Sequence, residues 1–442
     1  MSTLFGRGAS GNRRIEVRLP GERPRRRRRR LLALGALLAG GGAAWLALQA
    51  PVALDAVGQL APTFGSGETP VEVEAALAPP DASPMRHPAI DLVRGATLGP
   101  DGRMRAALPD GRVATLSLDF ELQRKMERIL RDYRVPWGAL VATEPKTGRI
   151  LALAEHSSKG ELETAGLSLR PIAPAASVFK VVTAAALLEA GVPSSREVCY
   201  HGGLRGLRPA LLEDSRRDYR CVTLADALGK SANVPFAKLA QRNLEPLALR
   251  DMAERFFFDR PIVLEGVEVV PSPLQMPAEP FEFARTAAGF HQGVRLTPLH
   301  GALLAATVAN DGNLVPPHLV DAIDDMPVGD AAPQHVLDPA VARELGLMME
   351  HTVKDGTARA AFRERRGEAL PGVRVAGKTG SLFERDPFRD ASWFVGFAPM
   401  EKPEIAVSAV VVNEEIWHIR APYVAREALR SYLLGTSPYR PR

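Results

Sequence analysis

VRVAGKTGS (Val373–Ser381), SWFVGFA (Ser392–Ala398) and IAVSAVVVN (Ile405–Asn413) follow one another near the C-terminus. Each is rich in β-branched and aromatic residues and bounded by loops, so each reads as a strand. Two similar runs lie far upstream, Trp137–Thr143 and Ile150–Glu155. Pro145 and Gly148 make Glu144–Arg149 between them a turn. Short loops within each group favour antiparallel neighbours. The spacing predicts an α/β protein of the α+β type. One five-stranded antiparallel sheet is covered by helices, and a helical subdomain is inserted between its halves.

The flanking segments fill in this plan. Asp119 can cap a helix running through Leu122, Met126, Ile129 and Leu130, apolar at helical spacing. A helix begins near Ser177 and runs to a C-terminal stop at Gly191. Residues 192–370 read as mainly helical and loop-like, with helices near 223–242 and 295–310. Pro422–Leu434 reads as an amphipathic helix. Upstream, Gly99–Gly102 and Pro109–Gly111 look like two turns bounding a short extended segment.

The chain has 442 residues and a formal charge of +5. Residues 1–30 hold eleven Arg against Glu16 and Glu22, a net of +9, so the remainder carries −4. The basic character belongs to a tail. That tail ends in Arg25–Arg30, and Leu31–Ala50 follows without a charge. Twenty helical residues span about 30 Å, the thickness of a bilayer core. Arginine accumulates on the cytoplasmic side of such segments. The reading is a single transmembrane helix with the N-terminus inside and the body outside. A cleaved signal peptide has a shorter apolar stretch. An Arg run joined to a bilayer-length segment is not read as a nucleic-acid site. Residues 51–90 form an Ala/Pro/Gly-rich linker. Cys199 and Cys221 are the two cysteines. In an oxidising compartment they are candidates for a disulfide worth about 3 kcal/mol, and the sequence leaves their pairing open. The nine histidines form no ligand spacing. No metal or cofactor is expected.

Three strings carry chemistry. In Ser177-Val178-Phe179-Lys180, the serine sits at a helix start, where unpaired N–H groups favour developing negative charge. Lys180 lies three residues on, on the same face. It can take the serine proton only as a neutral amine, which burial and a second cation, Lys378, would favour. Ser231-Ala232-Asn233 comes just after Ala225–Lys230, at a helix end. Its hydroxyl can relay a proton, and its carboxamide can donate and accept. Lys378-Thr379-Gly380 lies in a strand whose edge suits an extended peptide. Lys378 and Thr379 could hold a carboxylate, and Gly380 permits close backbone approach. A second Lys-Thr-Gly, Lys146-Thr147-Gly148, sits in the hairpin turn and reads as turn chemistry.

Together the strings resemble the transpeptidase domain of penicillin-binding proteins, the serine D,D-transpeptidases that cross-link peptidoglycan. The similarity covers roughly residues 117–436. It extends to Gly138–Gly148, Leu296–Leu299, Ala309-Asn310, Gly356-Thr357-Ala358 and Trp393–Pro399. The resemblance implies Ser177 as acylated nucleophile, Lys180 as general base and Ser231 as proton shuttle. Asn233, Lys378, Thr379 and Gly380 would bind substrate. The backbone N–H groups of Ser177 and Ser381 would form the oxyanion hole. The substrates would be D-Ala-D-Ala stem peptides, with β-lactams trapping Ser177 and a separate glycosyltransferase as partner. The site would work from the cytoplasmic membrane into the periplasm or extracytoplasmic space.

The front of the chain departs from the family. Residues 51–116 leave room for a linker and a pedestal remnant around Arg94–Ala107, not for a glycosyltransferase domain or a full class B pedestal. Residues 437–442 form a tail. The chemical rivals are a D,D-carboxypeptidase and a class D-like serine β-lactamase. Asn233 favours the transpeptidases over the latter, and no separate deacylating glutamate stands out. A non-catalytic β-lactam sensor or scaffold is the rival from another class. The intact Ser and Lys residues argue against it.

Overall fold

Both faces of the central sheet are buried, which is why its strands read as unbroken apolar runs. The computed structural model describes residues 87–160, 166–329, 331–365 and 367–435. The Arg-rich tail, the apolar run Leu31–Ala50, nearly all of the linker and the C-terminal tail lie outside the described residues. Among the described residues no helix is long and apolar enough to cross a membrane.

In chain order the framework is α1 (Pro88–Gly95), β1 (Thr97–Leu98), β2 (Met104–Ala107), β3 (Val113–Leu116), α2 (Phe120–Asp132), β4 (Trp137–Thr143) and β5 (Ile150–His156). The middle contributes α3 (Lys180–Glu189), β6 (Glu197–Tyr200), β7 (Arg220–Thr223), α4 (Leu224–Gly229), α5 (Asn233–Asn243), α6 (Pro246–Arg255) and α7 (Pro280–Ala287). There follow α8 (Pro298–Ala309), β8 (Val320–Ile323), β9 (Met326–Pro327) and α9 (Pro339–Lys354). The C-terminal end adds β10 (Ala376–Arg385), β11 (Phe388–Ala398), β12 (Ile405–Asn413) and α10 (Ala421–Leu434).

The main sheet has the order β10-β11-β12-β4-β5, every pair antiparallel. The expected five strands are therefore the observed five. Alternation along β4 sends Ala139 and Val141 to one core, with Trp393, Val395 and Val410. It sends Leu140 and Ala142 to the other, with Phe394, Val407 and Val411. The second core is closed by α2 and α10 through Met126, Ile129, Val424 and Ala428. The Asp119 carboxylate accepts from Leu122 N at 2.8 Å, capping α2 as its sequence suggested.

Three expectations need correction. The linker reading of residues 51–90 overran, because α1 starts at Pro88. Proline suits a first helical position, and His87 Nδ1 accepts from Ala89 N at 3.2 Å. The segment before residue 117 is more than one strand between turns. Gly102 and Gly111, both at positive φ, fold it into β1–β3, and β3 pairs with β8 in a second sheet of order β1-β2-β3-β8-β9. The span 223–242 is two helices separated by Lys230–Ala232, the first ending where the helix end at Lys230 was expected. The middle of the chain also carries short hairpins, among them β6–β7, across which Cys199 and Cys221 form a disulfide.

Candidate active site

Ser177 lies on a single 3-10 turn, Ala176–Phe179, that leads directly into α3. The α-helix expected from Ser177 begins at Lys180 instead, with Ala176 at φ +50° ahead of it. Neighbouring elements fix this turn. Trp393 Nε1 donates to Pro174 O at 2.8 Å, and Ala175 N to Val294 O at 2.8 Å. A Cβ added to Gly380 would meet Ala175 O at 3.0 Å and Val178 Cγ2 at 3.2 Å. The close approach that Gly380 permits is thus to the Ser177 turn.

Lys180 is fully buried, and its Nζ has three partners. These are Ser177 Oγ at 2.9 Å, Asn233 Oδ1 at 2.8 Å and the Ala288 carbonyl oxygen. Two of them can only accept. A neutral amine satisfies both with its two hydrogens and leaves its lone pair for the Ser177 hydroxyl. Burial, reinforced by the charge of Lys378, holds the Lys180 ammonium well below the usual lysine range. Asn233 Nδ2 donates to Arg205 O at 2.7 Å, which fixes the amide orientation that presents Oδ1 to Lys180.

The break between α4 and α5 places Ser231 at φ +54°, a strained position for a residue with a side chain. Backbone bonds from Ser231 N to Leu228 O, Ala232 N to Ala227 O and Asn233 N to Leu204 O hold the break. The strain directs Ser231 Oγ to Lys378 Nζ at 2.9 Å. Lys378 also donates to Thr379 O at 2.9 Å, and burial lowers its pKa to about 7. It sits on the edge strand β10, fully buried, with half-buried Thr379 beside it. Two serine–lysine pairs therefore stand together, close enough for the charge of Lys378 to act on Lys180.

The structure brings together Ser177, Lys180, Ser231, Asn233, Lys378 and Thr379. Ser381 lies next along β10, and Arg420 Nη1 approaches its hydroxyl at 3.5 Å. Cys199 and Cys221 belong to the β6–β7 hairpin, and the loop between those strands carries Arg205. The second Lys-Thr-Gly is a turn. Thr147 Oγ1 donates to Glu144 Oε2 at 2.6 Å, and Gly148 is at φ +78°. Residue-level reasoning missed Thr357, whose Oγ lies 2.5 Å from Thr379 Oγ and whose N–H donates to Gly229 O at 3.1 Å. It also missed Gly289, packed on the backbone of Ala176 and Ser177. The signal for Thr357 was the segment Gly356-Thr357-Ala358; Gly289 stands in Gly289-Phe290-His291-Gln292-Gly293, where two glycines four positions apart mark a turn. Among the described residues Asp226, His351 and Asp355 group donor atoms within 4.8 Å, as a partly exposed cluster between α4 and α9.

The family model of the penicillin binding protein transpeptidase domain matches residues 138–430. Peptidoglycan D,D-transpeptidase PbpA of Mycobacterium tuberculosis is 30% identical over 324 residues, 62% of this chain and 62% of that protein. Stage V sporulation protein D of Bacillus subtilis is 28% identical over 338 residues, 69% of this chain and 50% of that protein. The chain thus matches less than two thirds of the length of these relatives. The structure of penicillin-binding protein A from M. tuberculosis as a ceftriaxone acyl-enzyme is similar at a TM-score of 0.58 and 26% identity. That likeness covers 73% of this chain and 80% of the other.

Proposed function

The chain belongs to the penicillin-binding protein transpeptidase domain family, and from that premise we propose that it is a membrane-anchored peptidoglycan D,D-transpeptidase. The observation that carries this reading is the contact of Ser177 Oγ with Lys180 Nζ, an amine whose other two partners are obligate acceptors. Neutral Lys180 takes the Ser177 proton as Oγ attacks the penultimate D-Ala carbonyl of a stem peptide. The N–H groups of Ser177 and Ser381 receive the oxyanion. Collapse breaks the peptide bond, and Ser231, backed by Lys378, passes a proton to the departing D-alanine amine. An amine of a second stem then attacks the ester, its proton passes to Ser231 and Lys378, and Lys180 returns its proton to Ser177 Oγ as the ester C–O bond breaks, leaving a cross-link. Thr379 and Lys378 face the terminal carboxylate, and Asn233 the peptide backbone.

In this reading residues 117–436 are the catalytic domain, Leu31–Ala50 the anchor and 51–116 the linker with its pedestal remnant. The disulfide supports an extracytoplasmic body. A separate glycosyltransferase would supply the glycan strands.

Labelling with fluorescent penicillin tests the nucleophile. Wild type is expected to give a stable band that Ser177→Ala abolishes, and full-strength label on that variant would overturn the assignment. Products from purified peptidoglycan fragments distinguish cross-linking from trimming. Rapid turnover of the penicilloyl ester would identify a β-lactamase instead.

A further inference from the structure

At the far edge of the sheet, α1, α2 and the β1–β2 hairpin enclose a cleft of about 590 Å³ against β5, a size that accepts a small ligand. Its floor is apolar, with Ile90, Met104 and Leu153. Its walls carry four guanidinium groups, Arg94, Arg124, Arg128 and Arg131. The last three recur along one face of α2, where like charges four residues apart repel.

Neither of the two carboxylates lining the cleft forms an ion pair with the arginines of α2. Glu127 accepts from Gln123 Nε2 at 2.7 Å. Glu155 accepts from Gly166 N, Ser168 N and Ser168 Oγ, and approaches only Arg94, at 3.8 Å. Among the described residues no carboxylate pairs with Arg124, Arg128 or Arg131. Some exposed arginines elsewhere have carboxylate partners, as Arg374 has Glu350 and Glu401; what sets the α2 arginines apart is that three of them line one cleft. An unmatched cluster around an apolar floor suits a ligand that combines carboxylates with small apolar groups.

Resting on the transpeptidase reading, we propose that this cleft is a second binding site for peptidoglycan, holding the carboxylates of a stem peptide that is not reacting. β5 and the catalytic strand β10 are opposite edges of the sheet. Four strand spacings separate them, about 19 Å, so a stem in the cleft leaves the Ser177 site free. One glycan strand carries many stems. Holding one of them raises the local concentration of the others without any new contact at Ser177.

The test uses protein acylated by penicillin, so that Ser177 is blocked, and a fluorescein-labelled disaccharide–tetrapeptide fragment followed by anisotropy. The expected result is one fragment bound per acylated chain. The variant Arg124→Ala/Arg128→Ala should bind at least tenfold more weakly, since two charge-assisted contacts are lost. Its rate of penicillin acylation and its melting temperature should match wild type. Arg131→Glu should weaken binding further. Failure of the acylated protein to bind, or equal binding by the variants, would overturn the proposal. So would arginine-dependent capture of phosphatidylglycerol vesicles without capture of the fragment. A chain that penicillin does not acylate would refute the transpeptidase reading instead. The arginine dependence, measured on the unacylated protein, would still report on the cleft.

Discussion

Gly289→Ala is the sharpest single probe of how the nucleophile is held. Gly289 has φ +60°, and a Cβ there would lie 2.3 Å from Ala176 O, 2.9 Å from Ala176 C and 2.9 Å from Ser177 Cα. Ordinary contact needs about 3.5 Å, so the two segments must part by about 1 Å. Backbone cannot swing aside as a side chain can. The parting also moves Ala288, whose carbonyl oxygen accepts from Lys180. Left-handed backbone costs about 1 kcal/mol for alanine, and overpacking adds about 1–3 kcal/mol. The variant should therefore lose about 2–4 kcal/mol of stability in urea. Its second-order rate of penicillin acylation should fall about a hundredfold, the usual effect of a 1 Å misplacement at a reacting centre. Gly293→Ala is the control. Its Cβ meets the Gln275 side chain at 1.9 Å, and that flexible end can rotate away, so stability should change by about 0.5 kcal/mol at most. A Gly289→Ala protein that acylates at the wild-type rate with unchanged stability would refute the idea that this glycine seats the Ser177 turn.

Other perturbations separate the remaining contributions. Burial lowers the pKa of Lys378 to about 7, against about 10.4 in an unfolded chain. Between those values the unfolded state binds more protons, so stability rises with pH from about 7 to about 10. Lys378→Met should flatten that rise in urea midpoints, and parallel wild-type and variant profiles would contradict it. Reducing the disulfide, or Cys199→Ser with Cys221→Ser, releases a loop of sequence separation 22. It should cost about 3 kcal/mol and slow acylation, because Asn233 is anchored to Arg205 within that loop; unchanged stability and acylation would refute this. Thr357→Val removes the hydroxyl contact with Thr379, worth about 1 kcal/mol. Acylation should fall about fivefold, with Thr357→Ser restoring it, and equal defects in both variants would point to packing alone.

The sheet was legible because burial of both faces writes long apolar runs, and its strands differ from expectation only at their ends. Local chemistry made the α2 cap at Asp119 equally readable. The breaks that matter were harder to see. Gly229 and Pro235 count against a continuous helix over Leu224–Asn243, since Pro235 lacks the N–H that would bond the Ser231 carbonyl and its ring crowds that carbonyl, but they do not say where the helix breaks. It is interrupted because Asn233 N donates to Leu204 O and Ala232 N to Ala227 O, and the first of these contacts comes from a distant loop. The 3-10 turn at Ser177 likewise depends on Trp393 and Gly289, far along the chain. β3–β8 pairing joins residues about two hundred positions apart, and no local pattern reports that.

The lysines show what burial adds to the motifs. Lys180, Lys238 and Lys378 are all fully buried; the strings around Lys180 and Lys378 single them out, but no string says that Lys238 is buried too. Their partners tell them apart. Lys238 Nζ lies 2.7 Å from Asp218 and 3.2 Å from Asp214, an ammonium matched by two carboxylates. Among the described residues no carboxylate approaches Lys180 or Lys378, whose hydrogen-bond partners are hydroxyl, amide and carbonyl oxygens; the Lys180 amine also lies over the Phe236 ring. A buried cation without a counter-ion is driven toward its neutral form. A neutral amine beside a serine hydroxyl is a base. The same residue type is thus a charge-paired tie in one place and an amine driven toward its neutral form in two others. The difference lies in the carboxylates the fold withholds from Lys180 and Lys378.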